Sequence, residues 1–194
     1  MSLSLSKTDI CNGALSLIGQ EPITDLDTDI SEEGDQCRIH YLRSRNRLLE
    51  DYPWRFAQKT TALTQDVTAQ NPLFTYSYQL PSDFLSLTTS DADQEGWPYF
   101  LEGTRIITDM SGIIITYTAE IEDVGFYTGG FIRALETYLA ERMSYALTKD
   151  KTLMQIMKEE AERVLMNEIS REAQQDRNQT YVIDSLLSVR NEGN

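Results

Sequence analysis

Three aspartates at alternating positions form the pattern in this 194-residue chain that comes nearest to a metal site. Asp25, Asp27 and Asp29 have the spacing of the first three ligands of a calcium-binding loop. Ile30 then stands where that loop needs glycine for its sharp turn, and Gln36 stands where it needs a bidentate glutamate. The pattern therefore indicates an acidic connector that leads into a helix, and we expect no metal there.

A zinc site built from soft ligands, or a Ser-His-Asp or Cys-His mechanism, would have to use His40, because the chain contains one histidine. His40 lies three residues after Cys37 on a predicted helix, and Cys11 lies on the helix before it. At most three soft ligands are available, without a paired motif. Two buried, unreactive thiols are the more common arrangement, and a lone histidine on an arginine-rich helix is typical of a surface. We expect no metal, no cofactor and no enzyme activity.

Carboxylate pairs leave one enzymatic alternative open. Glycoside hydrolysis needs two carboxyl groups at a suitable separation, and a chain with 31 Asp and Glu contains many such pairs. A hydrolase acting on polysaccharide is therefore an alternative, as is a free-standing helical interaction module. A phosphate-binding loop is not indicated, because Gly125 and Gly129 precede a helix without the lysine that such a loop requires.

A short basic cluster, followed by large aromatic residues, interrupts the acidic sequence. Ion pairing with the surplus carboxylates is one interpretation of the arginines, and contact with an acidic neighbouring subunit or with phosphate is the other. The aromatic residues are typical of core anchors, although aromatic rings beside arginine also mark interfaces. The hypothetical interface residues of this region are Arg38, Arg43, Arg45, Arg47, Trp54, Arg55 and Phe56.

The net charge is −14, from 17 Lys and Arg against 31 Asp and Glu. Such a surface repels phosphate backbones, so we expect no tight nucleic-acid binding, although DNA can pass such a surface without adhering. No apolar stretch approaches the roughly 20 residues of a membrane span, and the first residues contain no apolar signal segment. With only two cysteines, the chain is expected to be soluble and intracellular.

Helical periodicity occurs in residues 8–18, 31–52, 131–148 and 151–176. On the last of these helices, Met154 is expected to face inwards. Alternation in residues 74–80, and turn signals among residues 99–118, indicate strands and consecutive hairpins between the second and third helices. The sequence therefore predicts an α+β fold. We expect a four-helix bundle-like helical domain of residues 1–53 and 121–176. A β-rich lobe of residues 54–120 is inserted between helices 2 and 3, and residues 177–194 form an extended C-terminal tail.

Six stretches occur in an order that is characteristic of one protein family. They are 12–19 (NGALSLIG) with Pro22-Ile23, 52–57 (YPWRFA), 80–85 (LPSDFL), 101–103 (LEG) with Ile106 and Thr108, 115–117 (ITY), and 131–148. In this order they resemble the tail tubular protein A, or head-to-tail adaptor, family of short-tailed bacteriophages. The resemblance covers residues 8–170. It departs from the family at 159–162 (EEAE), where a tyrosine–glutamate pair is expected, and the final residues match nothing in it.

The resemblance implies a structural role in the phage neck. Proteins of this family form a ring, typically of twelve copies, beneath the portal protein. The ring continues the channel for double-stranded DNA and presents a platform to the tail nozzle, a tail tubular protein B-like partner. We therefore expect a protein of the virion that assembles in the host cytoplasm, with its helical part towards the portal and ring neighbours and its lobe towards the nozzle.

Two more groups of residues receive roles from this resemblance. An acidic helical face would suit the wall of a channel that DNA must traverse, and it contains Glu159, Glu162 and Glu168. An apolar C-terminal segment is too short to form its own core, so we expect it to dock on the portal or on an adjacent subunit. Its members are Tyr181, Val182, Ile183, Leu186 and Leu187.

Overall fold

A computed structural model describes residues 5–68 and 71–191, and of residues 175–191 it describes the backbone alone. The fold is mixed α+β, with helices at both ends of the described chain and antiparallel strands between them, which confirms the predicted class. Two compact units are present. Residues 1–44 and 127–194 form a helical unit, and residues 45–126 form a β-rich unit.

The first two helices begin and end at the signals that the sequence contains. Helix α1 (Lys7–Leu17) begins after Ser6, whose hydroxyl accepts a hydrogen bond from the Asp9 amide at 3.1 Å. After α1, Gly19 has a φ of 69°, a conformation that favours glycine. Helix α2 (Glu32–Asp51) ends before Pro53, and a hydroxyl also caps its start.

Helix α4 (Gly129–Thr148) contacts each of the other long helices of the helical unit. A Cβ built on Gly13 of α1 would lie 2.7 Å from the carboxyl carbon of Glu136, so α1 approaches α4 closely. Cys37 of α2 lies against Met143 of α4, with 3.6 Å between their sulfur atoms. Helix α5 (Lys151–Asn191) also packs against α4, and its residues Met157, Ala161 and Val164 are buried.

Two sequence predictions for α5 are wrong. The helix continues to Asn191, where an extended tail was expected from residue 177. No glycine or proline occurs between residues 151 and 191, so nothing local ends the helix. Met154, which was expected to face inwards, is 38% exposed.

The β-rich unit contains two antiparallel sheets. One has the strand order β1 (Gln58–Ala62), β7 (Ile114–Ala119), β4 (Phe84–Ser90), and the other has the order β2 (Thr64–Gln65), β3 (Tyr76–Gln79), β6 (Arg105–Thr108), β5 (Tyr99–Glu102). The chain passes from the first sheet to the second at Leu63, whose amide donates to the Ile113 carbonyl at 2.9 Å. A short helix α3 (Asp91–Glu95) follows β4.

One apolar core lies between these sheets. Tyr78 and Ile106 from the four-stranded sheet are buried with Ile115 and Tyr117 from the three-stranded sheet. Strands β5 and β6 form the predicted hairpin. The prediction of consecutive hairpins is wrong for β7, because it pairs with β1 and β4 in the other sheet. Pairing with distant strands depends on the shared core and is invisible in local alternation.

The compact units divide at residues 44/45 and 126/127, whereas the sequence predicted divisions at 53/54 and 120/121. The end of α2 belongs to the β-rich unit because its side chains are bound there. Arg45 forms an ion pair with Glu120, and the indole nitrogen of Trp54 donates to the Leu48 carbonyl at 2.8 Å.

Candidate functional site

The four arginines of α2 do not form a common surface. Arg38 donates to the carbonyl oxygens of Leu26 at 2.8 Å and Asp29 at 2.6 Å, and it also pairs with Asp35. Arg47 forms an ion pair with Asp51 at 2.9 Å, one helical turn away. For these two residues, pairing within the chain is therefore the observed role.

Arg45 is excluded from any interaction surface of this conformation. Its side chain is 0% exposed and forms an ion pair with Glu120, while its Nε donates to the side chain of Asn46 at 2.9 Å. The Nη1 atom is buried and has no hydrogen-bond partner among the described residues. The hypothesis that Arg45 lies at an interface is wrong, because its side chain is buried. The sequence pattern did not indicate that this side of α2 faces the core.

Trp54 is also a core residue and not an interface residue. It is 1% exposed, and its ring contacts Tyr52 edge-on with 5.4 Å between the centroids. Phe56 is half-buried, with its centroid 6.5 Å from that of Trp54, and Arg55 is exposed. Core anchoring, the usual role of such aromatic residues, is the one observed for Trp54.

Arg43 belongs to a basic patch that joins two helices of the helical unit. We define the basic patch as His40 and Arg43 of α2 with Arg142 of α4. Burial, together with the charges of Arg142 and Arg43, lowers the pKa of His40, so the three groups are near one another. Arg142 donates to the Tyr138 hydroxyl at 2.7 Å and lies 5.1 Å from the centre of its ring. Ion-pair partners of Arg43 and Arg142 are absent among the described residues.

Sequence reasoning missed Arg142 as a member of this patch. The available signal was its position four residues after Tyr138, which places the two side chains on the same face of α4. Nothing in the sequence indicated that this face lies beside His40.

Exposed apolar side chains of the same two helices include Ile39, Leu42 and Tyr145, which are 48%, 53% and 44% exposed.

The expected channel-lining residues separate into two groups. Glu159 and Glu162 are exposed on α5. Glu168 is 8% exposed, with its carboxylate 3.0 Å from Arg171 and 3.9 Å from Arg133. A Cβ on Gly130 would lie 2.9 Å from this carboxylate, so Glu168 packs against the first turn of α4. The assignment of Glu168 to a channel wall is wrong, because its side chain is buried against α4. The positive end of the α4 dipole stabilises the carboxylate there.

The aspartates of the connector bind the backbone. Asp25 accepts hydrogen bonds from the amides of Asp27 and Thr28, each at 3.0 Å, and Asp29 accepts from the Thr24 amide at 3.1 Å. Side chains that could hold a metal ion form no group of three or more within the described part of the chain.

The two cysteines lie together in the core of the helical unit. Cys11 and Cys37 are both 0% exposed. A hydrogen bond to Cys37, reinforced by burial, raises the pKa of the Cys11 thiol far above its usual range. A thiol in this environment is a poor nucleophile.

The apolar residues expected to dock at the C-terminus lie on the last part of α5. The side chains of Tyr181, Val182, Ile183, Leu186 and Leu187 are outside the described residues. Within the described chain, no helix combines the length and apolar character that crossing a bilayer requires.

No protein-family model matches the chain, and no match is found among curated proteins.

Proposed function

We propose that the protein is a structural head-to-tail adaptor of a bacteriophage neck, which assembles as a ring beneath the portal protein. In this role it continues the DNA channel and presents a platform to the tail nozzle protein. The observation that carries the proposal is the order of elements. Two helices, a pair of small sheets and two long helices follow one another in the order that the resembling family implies.

Charge complementarity between copies supports the ring. The basic patch carries two cationic side chains, Arg43 and Arg142, on a chain with a net charge of −14. Exposed carboxylates elsewhere on this acidic chain, such as Glu32 of α2, supply the opposite charge. A patch and its complement at different places on one chain produce a head-to-tail contact, and such contacts close into rings when the rotation allows.

The length of α5 supports a contact beyond the subunit. Gly130, in the first turn of α4, lies beside Glu168 of α5, and α5 continues to Asn191. A helix that continues for several turns past its partner gains little stability from its own backbone. We propose that this last part of α5, residues 178–191, docks on the portal or on an adjacent subunit.

Assembly with a portal tests the proposal directly. The full chain is mixed with purified portal protein from the same genome, and the complex is imaged at low resolution. A ring of this chain on the portal axis is the expected result. Copies scattered over the portal, or no complex at all, would contradict the adaptor role. A matched deletion of residues 178–194 is expected to abolish attachment, and unchanged attachment would contradict the docking role of the C-terminal helix.

Charge reversal tests the contact between copies. Arg43→Glu with Arg142→Glu is expected to prevent ring formation on the portal, because the reversed patch repels the carboxylates of the neighbouring copy. Arg47→Glu is the control, because Arg47 lies on the same helix but pairs with Asp51. Assembly that survives the first pair of substitutions would place the subunit contact elsewhere.

A further inference from the structure

The outer face of the four-stranded sheet carries a cavity of about 700 Å³. Its floor contains Ser77 of β3 with Ile107 and Arg105 of β6, and the turn after Glu102 and the side chain of Asn71 form its rim. A second cavity of about 410 Å³ adjoins it, with Ser77 and Asn71 in both linings. Volumes of this size are typical of sites for small ligands.

Ser77 is the residue that makes this cavity more than a surface depression. It is 4% exposed, and its hydroxyl has no hydrogen-bond partner among the described residues. A buried hydroxyl without a partner is unfavourable for the folded state, because its lost hydrogen bonds to water are not replaced. Ser77 lies opposite Ile107 in the ladder between β3 and β6, so both face the cavity. The hydroxyl is therefore available to a ligand.

Two other polar side chains of the cavity, Arg105 and Glu102, have donors or acceptors that bind no other described residue. The Nε of Arg105 donates to Asp66 at 3.0 Å, and its two terminal nitrogens have no partner among the described residues. Glu102 accepts one hydrogen bond, from Asn71 at 3.2 Å, through a single carboxylate oxygen. Together with the Ser77 hydroxyl, these groups include both donors and acceptors. A ligand that fits them must itself donate and accept at neighbouring positions.

Charge and apolar surface restrict the class of ligand further. Asp66, Glu102 and Arg105 sum to one negative charge, and the whole chain is strongly acidic, so an anionic ligand is disfavoured. Phe100 pairs with Ile107 in the ladder and is 58% exposed, and its ring centroid lies 5.4 Å from that of Phe74. The site therefore combines polar groups with an aromatic and aliphatic surface.

We infer that this cavity is a binding site for a neutral saccharide. Vicinal sugar hydroxyls donate and accept at adjacent positions, which matches Ser77, Arg105 and Glu102. The apolar C–H face of a sugar ring fits against Ile107, and Phe74 in the adjoining cavity extends this apolar surface. An extended peptide would instead pair with the free edge of β5, which bonds only to β6. The site is a binding site, and no bond is formed or broken in it.

Binding of neutral trisaccharides to the full chain tests the inference. Trisaccharides of glucose, galactose and N-acetylglucosamine are titrated and followed by saturation-transfer NMR and calorimetry, beside a glucuronate trisaccharide and a neutral hexapeptide. Saturable binding of at least one neutral sugar is expected. Binding of none of them, or binding of the anionic sugar or the peptide alone, would overturn the inference.

Two variants locate the binding. Ser77→Ala is expected to weaken the affinity by about threefold to tenfold, as the loss of one hydrogen bond does. Because the hydroxyl has no partner among the residues that the structure describes, the thermal midpoint is expected to stay the same or to rise. Glu102→Gln, at an exposed position, is expected to weaken binding as well. Ser144→Ala, at a buried serine of the helical unit, is the control.

Unchanged affinity in Ser77→Ala and Glu102→Gln would overturn the assignment even if a sugar binds. The inference goes beyond the adaptor role and does not depend on it. A protein that binds no sugar could therefore still attach to the portal. A protein that does not attach to the portal could still bind sugar.

Discussion

Arg43 and Arg45 lie two residues apart on α2, but their environments are opposite. Arg43 is exposed beside His40, whereas the side chain of Arg45 is 0% exposed and bound to Glu120. A rotation of about 200° separates two such positions on a helix. The same residue type therefore serves stability at position 45, whereas at position 43 it is exposed and available for the contact between copies that we propose.

Removing the partner of Arg45 is expected to destabilise the protein. Glu120→Ala leaves a buried guanidinium without its carboxylate, and such losses reach about 3–5 kcal/mol for fully buried pairs. Glu120 itself is 34% exposed, so solvent reduces the effect, and we expect about 2 kcal/mol. Chemical denaturation measures it. Asp51→Ala breaks the exposed pair with Arg47 and is expected to change stability by less than about 1 kcal/mol. Equal effects would contradict the burial of Arg45.

Glu136 predicts a dependence of stability on pH. Burial raises the pKa of its carboxyl group in the folded protein, so the folded state favours the protonated form. Stability contributed by this group is therefore present at low pH and is lost as the pH rises past its unfolded and then its folded pKa. Glu136→Gln is expected to raise the thermal midpoint at pH 7, and the gain is expected to shrink as the pH falls towards about 4.

Glu162→Gln is the control for this experiment, because it removes the same charge from an exposed position of α5. A gain from Glu136→Gln that is independent of pH, or a loss at neutral pH, would show that the Glu136 carboxylate is not held in a desolvating environment.

At the scale of elements, the approach of α1 to α4 depends on Gly13. A Cβ at this position would lie 2.7 Å from the carboxyl carbon of Glu136. Glycine is therefore the residue that gives the Glu136 side chain its space. This explains why a glycine is placed inside a helix, where alanine is normally more favourable by about 1 kcal/mol.

The contact predicts coupling between the two positions. Gly13→Ala alone is expected to show little of the usual gain of about 1 kcal/mol, because Glu136 must move. In a Glu136→Ala background the same substitution is expected to show the full gain. A double-mutant cycle in denaturant measures the difference, and a coupling energy of zero would contradict the close approach.

Helix α5 has one buried face and one exposed face. Met157, Ala161 and Val164 bury one face of it, and Glu168 continues that face towards the first turn of α4. Glu159 and Glu162 lie outside that face and remain exposed. Only the exposed pair is therefore available for the wall of a channel in the proposed ring.

At the scale of the whole molecule, the acidic surface predicts whether the assembled protein binds double-stranded DNA. Under the adaptor proposal, the portal-bound ring is expected not to retain double-stranded DNA at physiological salt. Glu159→Lys with Glu162→Lys is expected to retain it, since added cations gain phosphate contacts and release counterions. A band-shift titration across salt concentrations measures this. Equal mobility of DNA with both assemblies would remove these residues from the channel wall.

Much of the fold is readable from short stretches of the chain. Ser6 and Gly19 delimit α1, Pro53 follows α2, and the hairpin of β5 and β6 turns at Gly103, which has a φ of 59°. These signals act within a few residues, because caps and turns satisfy backbone groups locally. The α+β class and the order of the elements follow from them.

Tertiary structure decided which of the candidate side chains face a partner. Arg45, Trp54 and Glu168 are buried by residues far away in the sequence, and β7 pairs with β1 and β4 because the two sheets share one core. The chemistry of Ser77 was decided in the same way, since its unpaired hydroxyl depends on what packs around it. The sequence by itself determined where α1 and α2 begin and end and where the β5–β6 hairpin turns. Burial depends on contacts between distant elements, which no local pattern encodes.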